Sequence, residues 1–312
     1  MLLKKLYYCV ILSVSLTACS TSQPNLSINE PKQMITMNAE QNQQTRPVIA
    51  LVLGSGGARG YAHIGVLQVL EQQGIKPDFI VGTSAGSLAG VLYSGKQSAQ
   101  ALYEIAEQLK VNDIREFDIG MQSVFDGDKI ANFVNKHIQQ QKLEELKIPV
   151  YVVATRLDNG EQTIFNYGDA GKAVQASISI PTMFAPVKIG QYEYVDGGLV
   201  SPVSVKVAKD LGADMVIAVD ILAQPHYTNT NNMWGLFNQN INIMQYHLAK
   251  QELNHADIVI QPDIKDKKHV FDIKARNEII QAGQYATQAK ITDIKQQIQQ
   301  LTEKHNLKSL KE

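Results

Sequence analysis

Two stretches of the sequence indicate the fold class: PVIALVLGSGGARG at residues 47–60 and DFIVGTSAG at residues 78–86. Each stretch carries a continuous apolar run that ends in a glycine-rich turn. Apolar residues at helical spacing follow the first turn, among them Ile64, Leu67 and Leu70, and a second helix is predicted to begin near residue 84. Uninterrupted apolar runs are typical of strands that are buried on both faces. The alternation of strand, turn and helix therefore predicts an α/β fold with parallel strands and helices on both faces of the sheet.

Later segments extend this pattern. Apolar runs predict further strands at residues 150–155, 162–166, 192–195, 215–221 and 258–261. Residues 273–301 have the spacing of one or two amphipathic helices. A further apolar stripe at helical spacing is expected to pack in the core rather than to form a lid or a membrane-facing helix; it consists of Trp234, Phe237, Ile241, Met244 and Leu248. We therefore predict a core domain at residues 47–223 and an extension of the same domain at residues 224–312.

Composition excludes several classes of protein. The chain has 312 residues, 44% hydrophobic and 19% charged, which excludes wholesale disorder and a polytopic membrane protein. The net charge of −1 provides no general attraction for nucleic acid, so no nucleic-acid partner is expected. Two cysteines are too few for a disulfide scaffold or an all-cysteine zinc site, and no pair of histidines has metal-ligand spacing. We expect no metal and no cofactor.

The N-terminus has the features of a secretory signal. Lys4 and Lys5 precede an apolar run at residues 6–16, which is shorter than a membrane span, and LTAC follows at residues 16–19. This arrangement resembles the signal peptide of bacterial lipoproteins, which implies cleavage after residue 18 and a lipid on Cys19. The resemblance implies a lipid-anchored protein of the bacterial cell envelope, on the outer membrane and facing the periplasm. An ordinary signal peptide is the alternative.

Residues 19–46 are predicted to be a flexible tether. The composition shifts there to Gln, Asn, Ser and Thr with Pro24 and Pro31, and apolar periodicity disappears. The tether would separate the N-terminal anchor from the folded domain.

Residues 82–86, GTSAG, match the G-x-S-x-G pattern of a nucleophile elbow. Directly after a strand and before a helix, such a turn projects the hydroxyl of Ser84 away from the sheet, and Gly82 and Gly86 avoid clashes that a side chain would cause. The helix that follows directs its free N–H groups and the positive end of its dipole towards the same point. Ser84 is therefore the candidate nucleophile.

The first glycine turn has two interpretations. Gly54, Gly56 and Gly60, with Asp78 downstream, have the approximate spacing of a dinucleotide-binding fingerprint. In an acyl-transfer enzyme, the amides of the same turn would instead stabilise the oxyanion of a tetrahedral intermediate. A P-loop is excluded because no Gly-Lys-Ser/Thr ends the turn.

In the acyl-transfer interpretation, the amides of Gly56, Gly57 and Ala58 are the oxyanion donors. Arg59 either orients this turn or is a solvated turn residue, and the sequence leaves both possibilities open.

The candidate base is Asp196, in VDGG at residues 195–198, at the end of a short predicted strand. Gly197 and Gly198 permit backbone conformations that present the carboxylate to a neighbouring loop. Taken alone, Asp-Gly-Gly is an ordinary turn.

Together, the glycine turn, Gly-x-Ser-x-Gly and Asp-Gly-Gly resemble the patatin-like phospholipase family, over residues 48–223 and more weakly to residue 289. The resemblance implies a three-layer α/β/α fold with a mostly parallel central sheet. It also implies a serine lipid acyl hydrolase of phospholipase A, lysophospholipase or esterase type, which acts through an acyl-enzyme on phospholipid or another acyl-ester lipid. The implied catalytic dyad is Ser84 and Asp196, with Gly56, Gly57 and Ala58 as the oxyanion hole. The implied supporting residues are Arg59, Gly60, Gly82, Gly86, Gly197 and Gly198.

Two details of the resemblance bear on the site. Residues 176–181, with Phe184, Pro186 and Val187, resemble a loop that is expected near the active site. Ser55 departs from the pattern, because it occupies the position of the first glycine in G-x-G-x-x-G, which only Gly57 and Gly60 complete.

Two other functions are alternatives to this interpretation. An α/β-hydrolase with a Ser-His-Asp triad would take its base from His226, His247 or His255, but such enzymes reach the nucleophile elbow later in the sheet. His63, on the first helix, is expected to be a packed or capped helical histidine. A non-catalytic lipoprotein that binds a lipid or a partner is the other alternative.

Overall fold

The computed structural model describes residues 46–108, 127–139, 141–222, 231–264 and 275–309. The predicted signal peptide, nearly all of the tether and Cys19 lie outside these residues. Eight strands form a single sheet: β1 (Ile49–Leu53), β2 (Phe79–Thr83), β3 (Val150–Arg156), β4 (Gln162–Phe165), β5 (Val187–Ile189), β6 (Tyr192–Asp196), β7 (Met215–Val219) and β8 (Ile258–Ile260). The strand order is β5-β6-β3-β2-β1-β7-β8, and β4 pairs separately with β3.

The centre of the sheet is parallel. β1 pairs in parallel with β2 and β7, β2 with β3, and β7 with β8, whereas β4, β5 and β6 form antiparallel pairs at one side. The predicted α/β fold with a mostly parallel sheet is confirmed. Parallel strands place their carboxyl ends at one edge, so the turns after β1, β2 and β7 all lie at that edge.

Helices cover both faces of the sheet. Nine α-helices lie in the described residues: α1 (Tyr61–Gln72), α2 (Ala85–Lys96), α3 (Ala99–Gln108), α4 (Asp128–His137), α5 (Ala170–Ser177), α6 (Val205–Asp210), α7 (Met233–Leu253), α8 (Arg276–Gln288) and α9 (Ile291–Ser309). Alternate residues of β1 point to opposite faces: Ile49, Leu51 and Leu53 pack in the cluster with α1, α2 and α8, and Ala50 and Val52 pack in the cluster with α6. The sheet therefore lies between two helical layers.

Several local predictions need correction. β5 was not predicted, because three residues are too few for a periodic signal. Residues 176–181 were expected to be a loop, but Ala176 and Ser177 form the last turn of α5. The expected core packing is wrong for the four residues of the α7 stripe whose side chains the structure describes, and the side chain of Trp234 lies outside the description. Met244 is 53% exposed and Phe237, Ile241 and Leu248 are only partly buried, while Ala249 is the buried residue of this helix among those described.

The C-terminal residues complete the sheet and one helical layer. β8 extends the sheet beyond β7, and the amphipathic pattern at residues 273–301 corresponds to α8 and α9. The backbones of α1 and α8 touch, because a Cβ atom on Gly65 would overlap the carbonyl oxygen of Ile280, and one on Gly283 would overlap that of Ala62. α8 thus fixes α1, which begins directly after the first glycine turn. In the described part of the chain, no helix is both long and apolar enough to cross a membrane.

We predict that Gly283→Ala lowers the free energy of unfolding by about 1–3 kcal/mol, because the added methyl group forces α8 away from α1. The measurement is urea denaturation followed by circular dichroism. Gln281→Ala, at an exposed position of the same helix, is the control and should change stability by less than about 0.5 kcal/mol. Equal stability of the two variants would contradict the close helix contact.

Candidate active site

The register of the sheet brings Ser84 and Asp196 together. β2 pairs with the first part of β3, up to Thr83 opposite Val153, and β6 pairs with the last part of β3, with Asp196 opposite Ala154. β4 occupies the other edge of β3 through both regions, so β2 and β6 lie on the same edge. The two strands therefore meet end to end, with Ser84 following one and Asp196 ending the other.

Ser84 has an unusual backbone conformation. Its φ of 53° and ψ of −120° turn the chain sharply between β2 and α2, and a non-glycine residue adopts a positive φ only at a cost in free energy. Gly86 allows this turn to lie against β1, since a Cβ atom there would overlap the carbonyl oxygen of Leu53. The amide of Ser84 donates to the hydroxyl of Ser177 at 2.8 Å, which in turn donates to the carbonyl of Val153. The surrounding structure thus holds the serine in the strained turn.

The two candidate catalytic side chains are hydrogen-bonded. The Ser84 hydroxyl donates to Asp196 Oδ2 at 2.5 Å, and the Gly198 amide donates to Asp196 Oδ1 at 2.7 Å. The Thr155 hydroxyl fixes the same residue through its carbonyl oxygen, at 2.8 Å. Both carboxylate oxygens are therefore engaged, and one of them faces the serine.

Burial sets the protonation of this carboxyl. Asp196 is only 2% exposed, and burial raises its pKa to about 6, against the opposing effect of its hydrogen bonds from Ser84 and Gly198. At neutral pH the carboxyl is ionised, yet its pKa is high enough for it to accept a proton from a neighbouring hydroxyl during a reaction.

The first glycine turn lies beside this pair as a 3₁₀ turn at Gly57–Gly60. Gly57 and Ala58 begin the turn, so their amides have no acceptor within it. Gly56 and Gly57 line the cavity that contains Ser84, whereas Ala58 is not one of its lining residues. A Cβ atom on Gly56 would lie 2.8 Å from the side chain of Ile221, so only glycine fits there without a shift.

Two buried basic side chains hold the glycine turn. Arg59 is buried and donates from Nε to the carbonyl of Gly56 at 3.1 Å, and burial lowers its pKa to about 10 against the attraction of Asp220. Of the two possibilities for Arg59, orientation of the turn is therefore the one observed. His63 is fully buried and donates from Nε2 to the carbonyl of Gly54 at 2.9 Å. Burial lowers the pKa of His63 to about 4, so it is neutral at physiological pH.

A small cavity of about 30 Å³ opens onto the pair. One side of the cavity is lined by the glycine turn, through Ser55, Gly56, Gly57 and Arg59. The bottom is formed by Ser84 and Asp196, and a further wall by Ile180, Pro181 and Leu199. α7 forms the roof with Asn238, Ile241, Asn242 and Gln245. The opposite face of α7 exposes Met233, Leu236, Ile243 and Met244. The apolar stripe thus belongs to a helix that covers the site.

The structure contradicts the dinucleotide interpretation. Asp78 precedes β2, where it accepts hydrogen bonds from Arg46 and from the amide of Ile49. Asp78 therefore lies at the amino ends of the strands, whereas the glycine turn lies at their carboxyl ends. The five residues of β1, at roughly 3.3 Å per residue, separate the two by about 17 Å. A carboxylate at that distance does not contact a ribose bound at the turn.

The two candidate histidines that the structure describes do not line the cavity. His247 and His255 are exposed, neither is a lining residue, and His226 lies outside the described residues. The described ranges also contain no cluster of three or more His, Cys, Asp or Glu side chains that could hold a metal ion.

Sequence reasoning missed some residues of this site. Ser177 and Thr155 contact Ser84 and Asp196 through the backbone, and Gln245 reaches the cavity from α7. The sequence did indicate the region of Ser177, because residues 176–181 resemble a loop near the active site. Nothing around Thr155 or Gln245 distinguishes them from other polar residues of a strand or a helix.

Comparison with known proteins gives a consistent family. Residues 51–209, just over half of the chain, match the family described as patatin-like phospholipase. Human patatin-like phospholipase domain-containing protein 6 is 31% identical over 212 residues, 64% of this chain and 15% of the relative. An uncharacterized NTE family protein of Mycobacterium tuberculosis is 35% identical over 181 residues, 56% of this chain and 49% of the relative.

A lysophospholipase of Pyricularia oryzae is 27% identical over 203 residues, 61% of this chain and 14% of that protein. The chain thus spans about half the length of the mycobacterial relative and about a sixth or less of the other two. The crystal structure of VipD from Legionella pneumophila matches with a TM-score of 0.52 at 14% identity, over 92% of this chain and 72% of that one. This last similarity concerns the fold alone.

We predict that Asp196→Asn stabilises the fold at neutral and alkaline pH. The pKa of Asp196 in the folded protein is about 6, above the ordinary aspartate value of 3.8, so the folded protein holds this proton more tightly than the unfolded chain. Stability is therefore lost as the pH rises from 3.8 to about 6. Asn removes the buried charge, and the free energy of unfolding should increase by roughly 2 kcal/mol at about pH 8 and by much less at about pH 4. Urea denaturation at both values measures this, and an equal change at both would contradict it.

Proposed function

The chain belongs to the patatin-like phospholipase family, and we propose that it hydrolyses acyl esters of lipids with Ser84 and Asp196 as a catalytic dyad. The observation that carries this proposal is the 2.5 Å hydrogen bond from the Ser84 hydroxyl to the buried Asp196 carboxylate, at a nucleophile elbow. The oxyanion donors are the amides of Gly56, Gly57 and Ala58, supported for the first two by their position in the cavity.

Acylation begins when Asp196 accepts the proton of Ser84 as Oγ attacks the ester carbonyl carbon. The negative charge that develops on the carbonyl oxygen is stabilised by the amides of the glycine turn, and such donors are typically worth about 2.7–4 kcal/mol each. The tetrahedral intermediate collapses with cleavage of the bond to the alcohol oxygen, which takes the proton from Asp196. The products of this half-reaction are the acyl-enzyme and a free alcohol.

Deacylation repeats these steps with water. Asp196 accepts a proton from a water molecule, whose oxygen attacks the acyl carbonyl carbon. The bond to Ser84 Oγ breaks, Oγ takes the proton back from Asp196, and a fatty acid leaves. The same carboxylate therefore serves both half-reactions, which needs no histidine.

We propose phospholipids or other acyl-ester lipids as the substrate class, of the phospholipase A, lysophospholipase or esterase type. The family and the relatives described as phospholipase and lysophospholipase support this class. The cavity of about 30 Å³ is far smaller than the ~300–1,000 Å³ of typical ligand sites. An acyl chain therefore requires the roof formed by α7 to shift. The partly exposed side chains of that helix, in contrast to the fully buried strands, make it the element that can move at least cost.

We further propose that the protein acts at the bacterial cell envelope, anchored by a lipid on Cys19 to the outer membrane and facing the periplasm. The support is the LTAC motif after a short apolar run. Acyl chains contribute about 0.8 kcal/mol each per buried methylene, and more than one chain together holds a domain at a membrane without a spanning helix.

The dyad predicts the outcome of covalent labelling. A fluorophosphonate should form an adduct on Ser84 of the wild-type protein, identified by peptide mass spectrometry. Ser84→Ala should lose the adduct and lower kcat/KM for an acyl ester by more than about a thousandfold, with unchanged circular dichroism, because the smaller side chain fits the elbow.

For the wild type, kcat/KM should fall as pH decreases through the Asp196 pKa of about 6, since the protonated carboxyl no longer accepts the serine proton.

The same assay separates the dyad from the two alternatives. Asp196→Asn should be nearly inactive, whereas His226→Ala, His247→Ala and His255→Ala should each stay within about twofold of the wild type. A folded histidine variant as inactive as Asp196→Asn would replace the dyad with a triad. Absence of both adduct and hydrolysis in the wild type would favour the non-catalytic binding protein.

The anchor predicts a fractionation result. Wild-type protein and the control Cys9→Ser, which changes a residue of the cleaved segment, should remain with membranes after a high-salt wash, because acyl burial is not screened by salt. Cys19→Ser should be unprocessed or appear as an active soluble periplasmic protein. Recovery of the wild type in the soluble periplasmic fraction would refute the lipid anchor.

A further inference from the structure

Ser55 carries a buried hydroxyl without a partner. The residue is 1% exposed, and its Oγ has no hydrogen-bond partner among the described residues. The backbone of Ser55 is already fixed, because its amide donates to the carbonyl of Pro202 at 2.8 Å. The side chain is therefore not needed to hold the loop, and a glycine would make the same backbone contact.

The hydroxyl lies on the Asp196 side of the cavity. A methyl group on the Cα atom of Gly198 would lie 3.1 Å from Ser55 Oγ and 2.9 Å from Asp196 Oδ1. The Gln245 side-chain nitrogen lies 2.5 Å from the same point. Ser55 and the carboxylate thus flank one small region, and Ser55 lines the cavity together with Ser84.

A buried hydroxyl without a partner destabilises a protein, because its hydrogen bonds to water are lost on folding. Because Ser55 lines the cavity, a group that enters the cavity would be within reach of this hydroxyl. In the proposed reaction, two oxygens must approach Asp196 from the cavity: the alcohol oxygen that takes its proton, and the water oxygen that gives one up. Both occupy the region beside the carboxylate, one after the other.

We propose that the Ser55 hydroxyl donates a hydrogen bond to the leaving alcohol oxygen during acylation and to the attacking water oxygen during deacylation. This inference rests on the proposed hydrolase function. Ser55 transfers no proton. It stabilises the negative charge that develops on the leaving oxygen as the carbon–oxygen bond breaks, while Asp196 supplies the proton. Ser55 is then a catalytic residue distinct from the amides that face the carbonyl oxygen.

This role predicts a dependence on the leaving group. An alkyl alcohol is a poor leaving group, so its oxygen gains most from a hydrogen bond and a proton. A p-nitrophenolate leaves without either. Distortion of the glycine turn would instead impair the oxyanion hole, which both kinds of ester require, and would slow both equally.

The test compares two esters with the same acyl chain, a monoacylglycerol and a p-nitrophenyl ester. For Ser55→Ala, kcat/KM for the monoacylglycerol should fall by about ten- to a hundredfold, whereas the pre-steady-state acylation rate with the p-nitrophenyl ester should stay within about twofold of the wild type. Fluorophosphonate labelling of Ser84 should keep its wild-type rate. Ser55→Gly, which restores the residue of the family pattern, is a second variant that should behave like Ser55→Ala.

Ser94→Ala is the matched control, since Ser94 is an equally buried serine whose hydroxyl donates to the carbonyl of Ile148, away from the cavity. It should leave the ratio of the two rates unchanged. Equal loss with both esters, or no loss with either, in Ser55→Ala and Ser55→Gly would overturn the role of Ser55 while the dyad stands. A wild-type protein that neither hydrolyses esters nor is labelled at Ser84 would overturn the proposed function, and this inference with it.

Discussion

The site depends on one constraint of sheet register, the end-to-end meeting of β2 and β6 along a single edge of β3. The parallel strand β2 stops at Thr83, and the antiparallel strand β6 stops at Asp196, one position further along β3. Both chains must turn away at this junction, which brings a serine and an aspartate within hydrogen-bond distance. Because side chains alternate along a strand, a slip of one residue in either pairing would send one of the two groups to the other face of the sheet.

The junction is costly in free energy, and the surrounding packing compensates. Ser84 has a positive φ, and Asp196 is a charge in a buried position. Ser177 and Thr155 bind the backbones of the two residues, so the strained geometry is held from neighbouring strands and from α5. Gly86 and Gly197 sit where a Cβ atom would collide with carbonyl oxygens of β1 and β3, which keeps the turns pressed against the sheet.

The glycine turn is likewise held in place by hydrogen bonds from neighbouring side chains. It has few side chains of its own, so its shape is imposed by groups that bind its carbonyl oxygens: Arg59 at Gly56 and His63 at Gly54. Gly56 and Gly57 line the cavity, and the amides at the start of the 3₁₀ turn have no acceptor within the turn. His63, interpreted from sequence as an ordinary packed histidine, is indeed packed, and its contact also fixes the turn that borders the site. On the other side of the cavity, α7 contributes mainly amide side chains to the lining, and its opposite face exposes apolar side chains to solvent.

The fold class, the strands of the parallel centre and the motifs around Ser84 and Asp196 can all be predicted from the sequence, because these features depend on short, local patterns of apolar runs and glycines. The sequence did not determine that Asp78 lies at the opposite end of the sheet from the glycine turn, nor that Ile241 of the α7 stripe lines the cavity while Met244 is exposed. It also gave no sign that Ser177 and Thr155 hold the backbones of Ser84 and Asp196, or that the hydroxyl of Ser55 has no partner. Those features arise from contacts between segments distant in the chain. The spacing of residues along one strand or helix does not specify which edge of a neighbouring strand it will pair with. That pairing is set by the packing of the whole sheet.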